Sequence, residues 1–129
     1  DKFSLTNAEV KLLSDGDAPK TLVGALSGYM VTPISVTMLA TYASATESSS
    51  NNLMFGFESS DDNAYWYQLR DAMNTRTTNI TFVMQSYTPG NGTCATSTLN
   101  KPFVIWSSGA FNGDWTADVY VTYAYTKVL

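Results

Sequence analysis

Hydrophobic and polar residues alternate with a period of two along most of the chain, in short runs rich in β-branched and aromatic residues. Gly, Pro, Asn, Asp and Ser separate these runs. Alternate residues of a strand point to opposite faces of its sheet, so the pattern is typical of an antiparallel β-sandwich. The sequence therefore predicts an all-β fold.

The clearest strand is the last one, in which an apolar and aromatic face alternates with a polar face. The first face carries Trp115, Ala117, Val119, Val121, Tyr123 and Tyr125, and the second carries Thr116, Asp118, Tyr120 and Thr122. Six further runs of strand length span 22–26, 34–41, 53–57, 65–70, 77–85 and 102–106. Three tracts with turn chemistry, 43–52, 58–63 and 89–92, are predicted as loops.

The N-terminal segment changes phase within a few residues. Phe3 and Leu5 share one phase, whereas Ala8, Val10 and Leu12 share the other. We expect a bend or bulge where the first strand passes from one sheet to the other. The turn at 15–17 then closes the segment, and the absence of repeats and linkers predicts a single domain over residues 1–129.

Composition argues against most catalytic and metal chemistry. Histidine is absent, which removes the usual general base and the commonest transition-metal ligand. The single cysteine, Cys94, lies in a Gly/Thr-rich turn without a basic neighbour, and we interpret it as structural or incidental. Glu58, Asp61 and Asp62 are more simply a solvated loop than a glycosidase pair or a calcium site. We predict no enzyme activity, no catalytic or metal site and no cofactor.

Charge and hydropathy restrict the partners. The seven basic and eleven acidic residues give a net charge of −4, and no Lys/Arg cluster is present, so we do not expect nucleic acid as a partner. No apolar stretch approaches the roughly 20 residues of a membrane-spanning helix. The chain starts without a leader pattern, so we expect Asp1 to begin a mature or trimmed chain.

An aromatic run is the best candidate for ligand binding. Tyr65, Trp66 and Tyr67 are consecutive, so a regular strand places at least one large ring on each face. Exposed Tyr and Trp rings suit sugar faces or protein interfaces. The alternative is that these rings pack in the core and in cross-strand pairs. Both interpretations stay open from the sequence.

The order of motifs gives a resemblance. An alternating N-terminal strand precedes Lys20-Thr-Leu-Val-Gly-Ala-Leu26, and the chain ends on Phe111-Asn-Gly-Asp-Trp-Thr-Ala-Asp-Val-Tyr-Val-Thr-Tyr123. This order resembles the subunits of chaperone/usher fimbriae of the capsule-like and atypical type, which include the plague capsular antigen and the Saf and Sef pilins. The resemblance spans most of the chain.

The resemblance implies an incomplete immunoglobulin-like sandwich that lacks its seventh strand. The gap is filled by the N-terminal extension of a neighbouring subunit, or by a periplasmic chaperone before an outer-membrane usher assembles the fibre. Only four residues follow Tyr125, too few for another full strand. The resemblance then implies that Phe3 and Leu5 border the groove on the first strand, with these residues opposite on the last: Val119, Val121 and Tyr123.

The resemblance also implies export through the periplasm to a bacterial fimbrium and a structural or adhesive role. The chain enters its first strand without the alternating donor extension of shaft subunits, so we expect either a terminal (tip) subunit that receives a strand and donates none, or a shaft subunit whose donor segment has been removed. A host-cell receptor or glycan is a further expected partner, with Tyr65, Trp66 and Tyr67 as its binding residues. The alternative is a free-standing, secreted carbohydrate-binding β-sandwich, which differs in having a complete fold without a donated strand.

Overall fold

The structure is a computed structural model that describes residues 1–14, 19–57, 65–85 and 98–128. The elements in chain order are β1 (Lys2–Leu5), α1 (Asn7–Leu12), β2 (Lys20–Val23), β3 (Tyr29–Tyr42), β4 (Leu53–Gly56), β5 (Tyr65–Leu69), β6 (Ile80–Gln85), β7 (Phe103–Ser107) and β8 (Trp115–Lys127). Two antiparallel four-stranded sheets form, which we name sheet A (β1-β8-β3-β6) and sheet B (β2-β7-β4-β5). The predicted all-β sandwich is confirmed.

The pairing of β3 with β8 is the longest in the molecule and runs from Tyr29 opposite Lys127 to Tyr42 opposite Trp115. Its register shifts once, between Pro33 and Ser35. This irregularity lies beside the one proline of β3, whose missing N–H cannot contribute to a regular ladder. β3 itself starts at Tyr29, before the run that was predicted to begin at position 34.

The core lies between the two sheets and is filled from alternate positions of each strand. Trp115, Phe55 and Phe103 are 0% exposed, and large aromatic side chains of this kind contribute most to the buried apolar area. The inward face predicted for β8 is confirmed as far as Val121, which is 3% exposed. Beyond it β8 extends past the core, and Tyr125 is 38% exposed.

The sequence predicted a bend or bulge in the first strand after Leu5. This prediction is wrong, because the strand ends there and residues Asn7–Leu12 form a helix. Thr6 accepts from the Glu9 backbone nitrogen, and Glu9 accepts from the Thr6 nitrogen in return, which is a capping box. Helical spacing buries Val10 and Leu13 and leaves Leu12 61% exposed. The strand phase assigned to Leu12 was therefore incorrect.

The predicted loop at 43–52 contains no helix or strand, apart from an isolated bridge between Glu47 and Asn74. The predicted turns at 15–17, 58–63 and 89–92 lie outside the described residues. Cys94, with the acidic residues Glu58, Asp61 and Asp62, lies outside them too.

Replacing Thr6 by Ala should lower the free energy of unfolding by about 1 kcal/mol, because the first turn of α1 loses its capping oxygen. Urea unfolding followed by circular dichroism measures the change. Thr46→Ala is the matched control, since Thr46 is an exposed threonine in a loop. Equal effects of the two substitutions would contradict the capping role.

Candidate strand-binding edge and aromatic surface

The first and last strands are paired directly with each other. Phe3 lies opposite Val119, and Leu5 lies opposite Ala117, in antiparallel register. The expected arrangement, in which these two strands flank an open groove, is therefore wrong for this structure. The chain's own β1 occupies the position beside β8 because Phe3 and Leu5 bury their side chains towards the core there.

The pairing of β1 covers only part of β8. The nitrogen of Asp1 donates to the Val121 carbonyl oxygen at 2.9 Å, and the Val121 nitrogen donates back to the Asp1 carbonyl oxygen at 2.9 Å. Along the part of the chain that the structure describes, no strand pairs with this side of β8 beyond Val121. The opposite side is paired with β3 as far as Lys127. The last six of the thirteen residues of β8 therefore have one edge that no described strand covers.

Tyrosine side chains surround this free edge. The Tyr123 hydroxyl donates to Asp1 Oδ2 at 2.9 Å, and the Tyr125 hydroxyl donates to the Gly24 carbonyl oxygen at 2.9 Å. The rings of Tyr123 and Tyr125 meet edge to face with centroids 5.5 Å apart, and Tyr29 meets Tyr125 in the same way at 6.4 Å. Tyr123, a predicted groove residue, therefore lies at the boundary between the paired and free parts of β8.

Exposed polar contacts hold β1 against β8. Asp118 accepts from the Ser4 hydroxyl at 2.6 Å and pairs with the Lys2 ammonium at 3.0 Å. These two contacts lower the pKa of the Asp118 carboxyl below its ordinary value of 3.8. The Lys2 ammonium also lies 5.7 Å from the centre of the Tyr120 ring. Water and salt screen contacts of this kind, so each contributes little to stability.

Carboxylates also attach α1 to its surroundings. Asp114 accepts from the Ser44 hydroxyl, the Asn7 amide and the Lys11 ammonium, and these bonds lower the pKa of its carboxyl to about 2. The Lys20 ammonium and the Thr6 cap lower the pKa of the Glu9 carboxyl to about 2 in the same way. The helix is therefore held from both ends by ion pairs at the surface.

A small apolar cavity lies beneath α1. Leu5, Val10, Leu13, Met38 and Met73 are among its lining residues, and its volume is about 10 Å³. Such a space fits about one water molecule, and an apolar lining offers that water no partners. The cavity is therefore a packing defect under β1 and α1, with no room for a ligand.

The predicted receptor residues lie on β5, where all three rings are half-buried. The register between β4 and β5 shifts so that Tyr67 faces Phe55, Tyr65 faces Gly56, and Trp66 is the extra residue of a bulge. As a result the adjacent residues Trp66 and Tyr67 both pack against the main core, and the Trp66 ring meets Phe103 edge to face at 5.8 Å. This arrangement favours a packing role for Trp66.

Tyr65 has a different environment. It packs against a separate cluster on the other face of sheet B, formed by Met54, Val104 and Trp106, which are 1–3% exposed. The prediction that the run supplies rings to both faces is therefore consistent with the structure. None of the three rings is among the exposed large hydrophobic side chains of the described residues.

The sequence did not single out Glu47, a buried carboxylate in the loop between β3 and β4. Glu47 is 0% exposed, and its carboxylate accepts from the backbone nitrogens of Ser49 at 2.8 Å, Asn112 at 2.9 Å and Gly113 at 2.8 Å. Its carbonyl oxygen accepts from the Thr75 nitrogen at 2.8 Å. One residue thereby joins three loops.

Burial and hydrogen bonding have opposing effects on the pKa of the Glu47 carboxyl. Burial raises its pKa, but the hydrogen bonds from Ser49, Gly113 and Asn112 outweigh burial, so the pKa is below its ordinary value of 4.5. Gly113 is required beside it, because a Cβ at this position would lie 2.7 Å from the Glu47 nitrogen. The signal in the sequence is weak, since a lone glutamate in a Ser-rich tract normally faces water.

Metal-binding clusters and membrane-spanning helices are both absent from the described residues. They contain no group of three or more Cys, Asp or Glu side chains placed to hold a metal ion. Within the same residues, no helix is long and apolar enough to cross a membrane. Comparison with known proteins found no matching protein family, no similar curated protein and no similar solved structure.

Replacing Glu47 by Gln should lower the free energy of unfolding at neutral pH by about 1–3 kcal/mol, because buried N–H donors lose their charged acceptor. The carboxylate's contribution is complete above pH 4.5 and is lost as the pH falls through the lower folded pKa. The difference between wild type and variant should therefore shrink on acidification, as measured by urea unfolding from pH 7 to pH 2.5. The exposed Asp71→Asn change is the control, and a difference that grows on acidification would contradict this account.

Replacing Trp66 by Ala should lower the free energy of unfolding by about 3 kcal/mol, because its ring packs against Phe103 and Tyr67. Thermal unfolding and binding to host cells are measured together. Tyr120→Ala, which removes an aromatic ring that is 40% exposed on sheet A, is the control. Lost binding at an unchanged melting temperature would instead make Trp66 a receptor residue.

Proposed function

We propose that this chain is a structural and adhesive subunit of a bacterial surface fibre, in which a strand donated by a neighbouring subunit pairs with β8. The observation that carries the proposal is the unequal pairing of the two sides of β8. Its side facing β3 is paired along the strand, whereas the four residues of β1 reach only Ala117–Tyr120. A longer strand on that side gains the pairs that β1 leaves unmade.

The strand order supports this proposal. An immunoglobulin-like sandwich pairs its second, fifth and fourth strands in one sheet, and its third, sixth and seventh strands in the other. Sheet B contains β2, β7 and β4 side by side in that order, and sheet A contains β3 beside β8. By this correspondence β8 is the sixth strand, and β1 occupies the place of the seventh.

The bonds that hold β1 make it replaceable. Its polar contacts to Asp118 are exposed, and only Phe3 and Leu5 contribute to the core. Each additional cross-strand pair adds roughly 0.2–1 kcal/mol. A donated strand that continues past Val121 as far as Lys127 therefore competes well with β1, and it covers the tyrosine rings beside that edge.

The proposal includes the partners of such an assembly pathway. A periplasmic chaperone holds the same edge of β8 before assembly, an outer-membrane usher exchanges it for the neighbouring subunit's strand, and the product is a fimbrium on the cell surface. The exposed part of β5 is the proposed contact with a host-cell receptor or glycan. A strand donated by another copy of this chain is its β1, which makes the same pairs with β8 as the chain's own β1. Its exchange therefore tests whether this edge opens and accepts a strand from another molecule, which every longer donor also requires.

Strand exchange between copies is tested with two single-cysteine variants in a Cys94→Ser background. Ser4 lies directly opposite Asp118, so Ser4→Cys in one copy and Asp118→Cys in another should form an intermolecular disulfide if β1 pairs with a neighbour's β8. The variants are mixed in mild urea, concentrated after its removal and oxidised. Disulfide-linked heterodimers on non-reducing gels are the expected result.

Two controls make the experiment decisive. Thr41→Cys replaces Asp118→Cys as a partner on β3 that does not face β1, and it should give no specific product. The double variant Ser4→Cys/Asp118→Cys should close the disulfide within one chain and prevent exchange. If the mixed variants give no more heterodimer than the Thr41→Cys control, β1 does not exchange and the proposal fails.

A further inference from the structure

The four outer strands of the two sheets differ in how their free edges are protected. Natural sheets block edge pairing with short strands, charges, prolines and bulges. β1 has four residues and carries Lys2, and β2 has four residues, carries Lys20 and has an irregular register with β7. β5 contains the bulge at Trp66. Three of the four edge strands are therefore protected by such devices.

β6 has none of these devices. Its six residues, Ile80 to Gln85, include no charge, proline or glycine, and they pair with β3 in an uninterrupted register from Ala40 to Ser35. Among the described residues, no strand pairs with its other side. Uncharged, unbroken strands of six residues with high β-propensity are the segments that pair most readily with one another.

The outward face beside this edge is also apolar and uncharged. Val83 is 64% exposed, Leu39 is 37% exposed, and Thr37 lies opposite Val83. On the described strands of sheet A, the charged side chains of this face are Lys2 and Asp118, which pair with each other on the far side of the sheet from β6. On the inward side, Ile80 and Phe82 pack against the core but stay half-buried.

We propose that β6 pairs with β6 of a second copy, antiparallel about a two-fold axis near Phe82 and Val83. The two copies of sheet A then form one eight-stranded sheet with the order β1-β8-β3-β6-β6-β3-β8-β1. We choose a second copy as the occupant because β6 and the β3 residues beside it carry no charge, so two copies of a chain with a net charge of −4 meet at this strip without bringing like charges together. The pairing is isologous and closes at the dimer.

This surface is separate from the strand-exchange edge. β6 and β1 lie on opposite sides of sheet A, with β8 and β3 between them. The pairing of β6 therefore does not depend on the proposed function and is measured in protein whose β1 is locked. Exchange of β1 is blocked there by the Ser4→Cys/Asp118→Cys disulfide in the Cys94→Ser background.

The test is sedimentation velocity on the locked protein from low to high micromolar concentration. We expect a concentration-dependent equilibrium between monomer and dimer. Val83→Lys and Thr81→Lys each place like charges near the two-fold axis and should weaken dimerisation by about tenfold or more. Thr116→Lys adds the same charge to the same face on β8, away from the edge, and should leave dimerisation unchanged.

Three results would overturn the proposal. The locked protein remains monomeric at about 0.5 mM, a concentration at which even weak dimers with Kd near 1 mM become visible. Thr116→Lys weakens association as much as Val83→Lys, which makes net charge the cause. Association continues beyond the dimer, which excludes a closed two-fold contact. Circular dichroism of each variant confirms that the fold is retained.

Discussion

The antiparallel pairing of β3 with β8 is the interaction on which the rest of the structure depends. It extends over thirteen residues of β8, and it carries the largest share of the buried positions in sheet A, from Trp115 to Val121. Because these two central strands are long and their neighbours are short, each neighbour covers only a fraction of the available edge. The open stretch beside Tyr123 and the tyrosine contacts around it follow directly from this inequality.

The opposite end of the sandwich is organised by a single buried carboxylate. The oxygens of Glu47 accept hydrogen bonds from backbone nitrogens in three loops. The nitrogens of Asn112 and Gly113 among them stabilise its charged carboxylate. The Asp114 contacts with Asn7 and Lys11 then connect the same loops to α1. The two ends therefore differ. Internal hydrogen bonds fix one end, whereas at the other end part of the β8 edge is not paired with any described strand.

The sequence predicts what depends on local pattern and misses what depends on tertiary contacts. The alternation in β8 predicted its buried face, because a strand with one dry side keeps a period of two. The helix α1 was missed, although the Thr6 to Glu9 capping box was visible, because six residues are too few for a clear helical period. The direct pairing of Phe3 with Val119 was missed because strand neighbours far apart in the sequence leave no local signal. The role of Glu47 depends on loops more than sixty residues away.

Strand edges that are unpaired among the described residues are the common basis of the two associations that we propose. The unpaired backbone N–H and C=O groups of a strand edge can form hydrogen bonds in two ways: a longer strand replaces a weak partner, or a new strand is added. At β8 the partner is β1, which is short, is held by one exposed ion pair and lies over a small packing defect, and these features support the proposed replacement by a longer strand. At β6 none of the described strands pairs with the outer side, and the neutral outward face around Val83 supports the proposed approach of identical copies. The proposed strand donation would extend from copy to copy because donor and acceptor are different strands, whereas the proposed β6 pairing would close after two copies because the same strand meets itself. Both proposed associations therefore follow from how the two sides of sheet A end, and neither requires the other.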